Sequence, residues 1–105
     1  MGQIKERCEI IDNCLCIRMP EEIDHHRASN IRESADRLIL EEQVKNVVFD
    51  FENTNFMDSS GIGIIVGRHK KISCFGGKVY VVNANERIGR MLKASGLASI
   101  IEIEE

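Results

Sequence analysis

Residues 46–72 read NVVFDFENTNFMDSSGIGIIVGRHKKI and combine a strand, a sharp break and a helix. The first six residues form a β-branched and aromatic run, which is typical of a more central strand. The break falls at residues 58–61, where one Asp and two Ser side chains are good helix caps. We predict that the helix extends over residues 59–74 and ends at Gly76-Gly77. This succession of strand and helix is typical of a parallel sheet with crossover helices.

The residues on either side extend this pattern over the whole chain. Alternation predicts strands over residues 4–11 and 14–19, joined by a tight hairpin at Asp12-Asn13, because both residues tolerate positive φ. Asp24 is a good N-cap for a helix over residues 25–42. A strand (78–82), a helix (86–95) and a last strand (100–103) complete the order ββαβαβαβ. The predicted fold is α/β: one domain over residues 1–105 with a mixed, mainly parallel sheet, an N-terminal β-hairpin and crossover helices packed on it.

The composition argues against several classes of protein. The 105 residues are 43% apolar and 30% charged, with a net charge of −3 and no Trp. Nucleic-acid binding usually needs a basic stripe, often with stacking aromatic residues, so direct contact with nucleic acid is not expected. The chain has no apolar run long enough to span a membrane, and its start lacks the apolar segment of a signal peptide. We therefore expect a cytoplasmic protein without a membrane partner.

The four cysteines do not form a recognisable metal site. Cys14 and Cys16 lie on one face of the predicted second strand, but no second pair follows at ligand spacing. We interpret these two, with Cys8 and Cys74, as small apolar side chains in a reducing cytosol. We expect neither a metal nor a cofactor.

Two neighbouring stripes run along the helix predicted over residues 59–74. One is predicted to face the core, with His69 as a partly buried structural residue, and carries Ile62, Ile65, Val66, His69 and Ile72. The other carries Ser59, Gly63, Gly67 and Lys70. A Gly in a helix interior costs about 0.8–1.0 kcal/mol relative to Ala, so each needs a reason. Either the helix packs closely against the sheet here, or the stripe is an exposed strip that a partner can approach.

Ser59 and Ser60 stand at the first turn of the same helix. They are either capping residues only or sites of phosphorylation. A phosphate at a helix N-terminus meets free N–H groups and the positive end of the helix dipole, although the neighbouring carboxylate of Asp58 opposes it. Such a phosphate would change the charge and shape of the surface without melting the fold, which suits a binding switch.

The run from Phe56 to Gly63 resembles the signature of the STAS domain of bacterial anti-sigma factor antagonists. The resemblance is strongest to the sporulation branch of that family, which acts on anti-sigma-F factors. An Asp-Ser-Ser-Gly before an apolar helix, together with an Asp-His-His loop, makes it specific. It extends over nearly the whole chain through Leu15-Cys16-Ile17-Arg18, Asp24-His25-His26, Gly67-Arg68-His69-Lys70 and Ser95-Gly96-Leu97.

The resemblance also implies roles for individual residues. Ser59 matches the serine that an anti-sigma factor, itself a serine kinase, phosphorylates. Asp58 adjoins it, and Asp24 is expected nearby on the partner-facing surface. The unphosphorylated form is expected to bind the kinase and release the sigma factor, and a serine phosphatase resets the phosphorylated form. The predicted partner-binding residues are Asp24, Asp58, Ser59, Ser60, Gly61, Gly63 and Gly67.

Other functions remain as alternatives. A phospho-accepting receiver domain would use Asp50, but Asp12 lies in a hairpin turn without the acidic neighbour that a receiver needs. A serine hydrolase would need a His base near Ser59 or Ser60, for which His25, His26 and His69 are the candidates. His69 is predicted to face the core, and the Gly-x-Ser-x-Gly elbow is missing. A Walker A lysine motif is also missing, so the protein is not expected to bring its own ATP. With both alternatives disfavoured, we do not expect an enzyme. Within the family, a STAS module of a general stress-signalling complex is the alternative.

Overall fold

The computed structural model describes residues 7–104 and contains one sheet of five strands and one of two. In chain order the strands are β1 (Cys8–Ile11), β2 (Cys14–Arg18), β3 (Glu22–Ile23), β4 (Asn46–Asp50), β5 (Phe56–Met57), β6 (Val79–Val82) and β7 (Glu102–Glu104). The larger sheet has the order β1-β2-β4-β6-β7, with β1 antiparallel to β2 and every other pair parallel. The predicted mixed, mainly parallel sheet with an N-terminal hairpin is confirmed, and β4 is its central strand.

The hairpin turn adopts the predicted left-handed backbone. Asp12 has φ 52° and Asn13 has φ 66°, so both central residues of the two-residue turn have positive φ. Two successive residues in this region match the right-handed twist of the flanking strands. Residues 4–6 of the first predicted strand lie outside the described residues, and β1 begins at Cys8.

The helices are α1 (His25–Glu41), α2 (Ser59–Ser73) and α3 (Glu86–Ala94), each within two residues of its predicted bounds. Each begins after a capping side chain: Asp24 accepts from the Arg27 backbone, Asp58 from the Ser60 backbone and Asn85 from the Ile88 backbone. The last predicted strand starts later than expected. A short 3₁₀ helix, Leu97–Ser99, follows Gly96 (φ 85°), and β7 pairs only from Glu102.

The helices all lie on one face of the five-stranded sheet. The chain steps from β2 to β4, β6 and β7 in one direction, and right-handed crossovers then place α1, α2 and α3 on the same side. The molecule is accordingly two layers thick, with a shortest dimension of 20 Å. Under the helices, the strand residues are at most 2% exposed: Leu15, Ile17, Val47, Phe49, Val79 and Val81. The alternating residues on the opposite face are half-buried: Cys14, Cys16, Val48, Tyr80 and Val82.

The core face of α2 differs from the predicted one. The buried residues are Gly61, Ile64, Ile65, Arg68 and Ile72, whereas Ile62 and Val66 are only half-buried. His69 is half-buried, as predicted. The predicted face was wrong in part because it was drawn from apolar residues and His69 and did not include Arg68. Arg68 is 4% exposed, and its Nε lies 2.9 Å from Oδ1 of Asp36 on α1. On α1, the apolar spacing from Ala28 predicts Leu38 on the core face, but Ile39 is the buried residue and Leu38 is half-buried.

The two-stranded sheet was not predicted. Strands β3 and β5 are parallel, with Glu22 opposite Phe56 and Ile23 opposite Met57. The backbone N–H of Asp58 donates to the carbonyl of Ile23 at 3.0 Å, so the pairing continues to the start of α2. This small sheet therefore joins the segment that leads into α1 to the segment that leads into α2.

Candidate functional site

The two predicted aspartates lie level with each other at one end of the molecule. Asp24 follows Ile23 at the end of β3, and Asp58 follows Met57 at the end of β5. Because Ile23 and Met57 are register partners, the next residue of each strand reaches the same height. The sheet thereby places the N-termini of α1 and α2 side by side. Asp24 and Asp58, which were predicted to share a partner-facing surface, are brought together.

The side chain and backbone of Asp58 organise the start of α2. Its Oδ1 accepts the Ser60 backbone N–H at 2.8 Å, and its carbonyl accepts the Gly61 N–H at 3.0 Å. Two N–H groups of the first turn are thus already paired with Asp58. The cap is made to backbone groups and leaves the side chains of Ser59 and Ser60 out of it.

Ser59 and Ser60 differ in accessibility. Ser59 is exposed, whereas Ser60 is half-buried. The Ser59 hydroxyl has no hydrogen-bond partner within residues 7–104. An exposed hydroxyl without a hydrogen-bond partner at the N-terminus of a helix is sterically accessible to a phosphoryl donor.

Asp24 is held in its ionised form. Its Oδ1 accepts the Arg27 backbone N–H at 2.9 Å, and its Oδ2 lies 3.7 Å from Nη1 of the same residue. The backbone hydrogen bond and the nearby guanidinium both lower the pKa of Asp24. The surface beside Ser59 therefore carries two carboxylates, Asp24 and Asp58.

The glycines of α2 divide into two kinds. Gly61 is buried, and a Cβ there would run into the Met57 side chain, so the absence of a side chain lets α2 pack closely at this position. A Cβ at Gly63 or Gly67 would meet no neighbouring atom within 4 Å. Gly63 is exposed and Gly67 half-buried. The stripe through Ser59, Gly63 and Gly67 is thus open, and close helix–sheet packing does not explain the latter two glycines.

The chain matches the model of the STAS domain over residues 7–105. It belongs to the STAS domain family. The anti-sigma F factor antagonist of Paenibacillus polymyxa is 39% identical over 89 residues, which are 85% of this chain and 76% of that relative. Such antagonists are regulatory binding proteins, and this chain is a member of their family.

The STAS fold is also found in solved structures of SpoIIAA in two states. The phosphorylated Bacillus protein has a TM-score of 0.76 at 28% identity, with 91% of this chain and 87% of that chain covered. The unphosphorylated form has a TM-score of 0.78 at 24% identity, with 93% and 86% covered. The same fold is thus recorded with and without phosphate in a family member.

Asp50 and His69 were the residues invoked for two other chemistries. Oδ1 of Asp50 accepts hydrogen bonds from the Glu52 backbone N–H and from Nδ2 of Asn83, each at 3.0 Å. The carboxylate is therefore engaged in the loops that follow β4 and β6. His69 lies ten residues after Ser59 on α2, which is about 15 Å along the axis and too far for a base. Residues 7–104 contain no group of three or more side chains arranged to hold a metal. None of the helices in that range combines the length and apolar character of a membrane span.

The pairing of β3 with β5 is the part of the site that sequence reasoning missed. Strands of two residues are too short to show an alternating pattern. The only available signal was the repeated arrangement Ile23-Asp24 and Met57-Asp58, an apolar residue followed by a helix-capping aspartate. Comparing those two dipeptides would have suggested that the two helix starts are equivalent.

Proposed function

We propose that this STAS domain is a phosphorylation-controlled switch in sigma-factor regulation. In the unphosphorylated form it binds an anti-sigma factor that is also a serine kinase, and the sigma factor is released. Phosphorylation of Ser59 by that kinase ends the binding, and a serine phosphatase restores it. The proposed kinase is an anti-sigma-F factor of sporulation, in line with the name of the Paenibacillus relative, and the proposed compartment is the cytoplasm.

The observation that carries this proposal is the contrast between the two serines. Ser59 is exposed and Ser60 is half-buried, and neither hydroxyl has a hydrogen-bond partner within the described residues, so accessibility is what distinguishes them. Phosphoryl transfer needs the acceptor oxygen in line with the terminal phosphorus of the nucleotide. A hydroxyl at Ser59 can be approached in that way without any opening of the fold.

The same geometry explains how a phosphate would end binding. A phosphoserine carries about −1.5 to −2 charges at neutral pH. At Ser59 it would lie beside the carboxylate of Asp58 and, in the docked complex, against the diphosphate left on the kinase. Because close like charges repel each other strongly in a desolvated interface, the phosphorylated surface is rejected.

The proposed docking surface extends from Ser59 in two directions. One is the open stripe of Gly63 and Gly67, where a partner can approach the helix backbone. The other is the row of Asp24 and Asp58 across the two-stranded sheet. Ser60 belongs to its margin, while the buried Gly61 supports the surface from beneath.

The test is the intact mass of the protein after incubation with ATP and the cognate kinase. The expected result is one added phosphate, mapped by fragmentation to Ser59. Ser59→Ala should abolish the addition, and Ser60→Ala, the matched control one residue away, should retain it. Two results would overturn the assignment. One is phosphate on Ser60, and the other is no phosphate added to this protein by a kinase that phosphorylates another antagonist.

A further inference from the structure

The outer face of the two-stranded sheet has a regular arrangement of side chains. In each strand the second residue points inward, with Ile23 fully buried and Met57 3% exposed. Because side chains alternate along a strand, the residues before and after them share the opposite, outward face. That face presents two rows: Glu22 beside Phe56, and Asp24 beside Asp58.

Phe56 is the apolar member of this face. Its side chain is 44% exposed, although the residue is a large aromatic. Its backbone N–H donates to the carbonyl of Glu21 at 3.2 Å, and the next ladder bond joins Asp58 to Ile23. The ring is therefore presented by a hydrogen-bonded strand rather than by a free loop, and it lies one row from the cap that precedes Ser59.

Charged residues share the outer face with Phe56. Glu22 lies directly across the two-stranded sheet, with its side chain 67% exposed, and Oε1 of Glu22 is 4.0 Å from Nη1 of Arg27. Asp24 and Asp58 form the adjacent row. An exposed aromatic ring within a mainly acidic rim is complementary to an apolar pocket edged by Lys or Arg. Aromatic residues are enriched at the centres of protein interfaces, where a few of them supply most of the binding energy.

We propose that Phe56 is the apolar anchor through which this protein docks on the kinase, in a pocket with a basic rim. This inference rests on the proposed function and names a residue that carries the recognition. Phe56 holds the protein while Ser59, three residues further on, reaches the nucleotide. The ring lies outside the reacting atoms, so its loss weakens docking and leaves the transfer step itself intact.

The second exposed phenylalanine supplies a matched control. Phe75 is 71% exposed and follows the C-terminus of α2, about 22 Å along that helix from Ser59. Phe56→Ala and Phe75→Ala remove the same ring from opposite ends of the domain. Phe56→Leu keeps an apolar side chain on the strand. Thermal unfolding of the three variants establishes that each is folded before binding is compared.

The experiment measures the kinase dissociation constant and the kcat and KM for phosphorylation at Ser59. We expect Phe56→Ala to bind at least tenfold more weakly, with a raised KM and an unchanged kcat, and Phe56→Leu to retain most of the affinity. Phe75→Ala should match the wild type within about twofold. If Phe56→Ala and Phe75→Ala bind the kinase equally well, and the wild-type protein is phosphorylated, the anchor is overturned and the proposed function stands. A wild-type protein that neither binds nor accepts phosphate would overturn the proposed function and this inference with it.

Discussion

Nε of Arg68 lies 2.9 Å from Oδ1 of Asp36, and this ion pair joins the two helices whose N-termini form the candidate site. Arg68 is 4% exposed, whereas the Asp36 side chain is 30% exposed. Burial lowers the pKa of Arg68, and the carboxylate of Asp36 opposes that effect. The pair lies outside hydrogen-bond geometry, and Nη1 of Arg68 is also buried without a partner within residues 7–104. The charge of Arg68 therefore depends on a single carboxylate.

Asp36→Ala should destabilise the domain by about 3 kcal/mol, because it leaves the buried guanidinium without a counter-charge. Chemical denaturation measures this directly. The control is Glu86→Ala, which removes the exposed Arg90–Glu86 pair at 3.5 Å and should cost about 0.5 kcal/mol. If both variants lose a similarly small amount of unfolding free energy, the buried charge of Arg68 does not depend on Asp36.

Ser59→Asp should fold normally and bind the kinase poorly. A carboxylate at the first turn of α2 is near the positive end of the helix dipole, which is favourable by about 0.3–1 kcal/mol. In the proposed interface the same charge adds to that of Asp58. Thermal unfolding and a binding titration separate the two effects, with Ser59→Ala as the uncharged control. Kinase affinity equal to that of the wild type would contradict the prediction.

Gly63→Leu and Gly61→Ala should change stability in opposite directions. A side chain at Gly63 enters open space, and replacing Gly in a helix interior by a better helix former gains most of a kcal/mol. At Gly61 even a Cβ displaces the buried Met57 side chain, which should cost about 1–3 kcal/mol. Differential scanning calorimetry measures whether each substitution raises or lowers the stability of the domain.

Kinase binding by the same α2 variants tests the open stripe. Gly63→Leu and Gly67→Leu should bind the kinase more weakly although they are folded, because a bulky side chain holds the partner away from the helix. A large fall in melting temperature for either variant would instead show that its glycine serves packing.

The cysteines should react with iodoacetamide at very different rates. Burial and the neighbouring Cys16 raise the pKa of the Cys14 thiol to about 11. Since the thiolate is the nucleophile, about one Cys14 in a thousand is reactive at pH 8. Burial also raises the pKa of Cys8, while Cys74 is exposed. Mass mapping after brief alkylation should find Cys74 modified first, and fast labelling of Cys14 would contradict the burial seen here.

The same raised pKa of Cys14 has a consequence for stability. The folded chain holds this proton more tightly than the unfolded chain, whose ordinary value is 9.0. The resulting contribution is present at neutral pH and is lost as the pH rises from about 9 to about 11. Cys14→Ala should remove that part of the alkaline destabilisation, as measured by urea unfolding at a series of pH values.

Local chemistry accounts for what the sequence predicted well. Asp12-Asn13 specifies its turn because few other residues tolerate two successive positive φ values. Asp24, Asp58 and Asn85 specify the helix starts because their oxygens pair with free N–H groups of the first turn. Such signals lie within a few residues of one another and can be read without the fold.

Features that depend on distant residues could not be read in this way. The inward direction of Arg68 depends on Asp36, thirty-two positions earlier on another helix. The pairing of β3 with β5 joins residues thirty-four positions apart. For the candidate site, Ser59 and its capped helix could be predicted, but the outward placement of Phe56 and the open space at Gly63 required the assembled structure.

The β1–β2 hairpin has a kinetic consequence. Among residues 7–104 it is the one antiparallel pair in the larger sheet, and Ile11 meets Cys14 across a two-residue turn. By contrast, Cys14 pairs with Asn46 and Val47 pairs with Val79, so each central parallel pairing closes a loop of about thirty residues. An isolated hairpin forms in about 1–10 μs, whereas pairings distant in sequence lose more chain entropy before they are stabilised. We therefore expect the hairpin to form early and β4 and β6 to pair in the slower steps that set the folding rate.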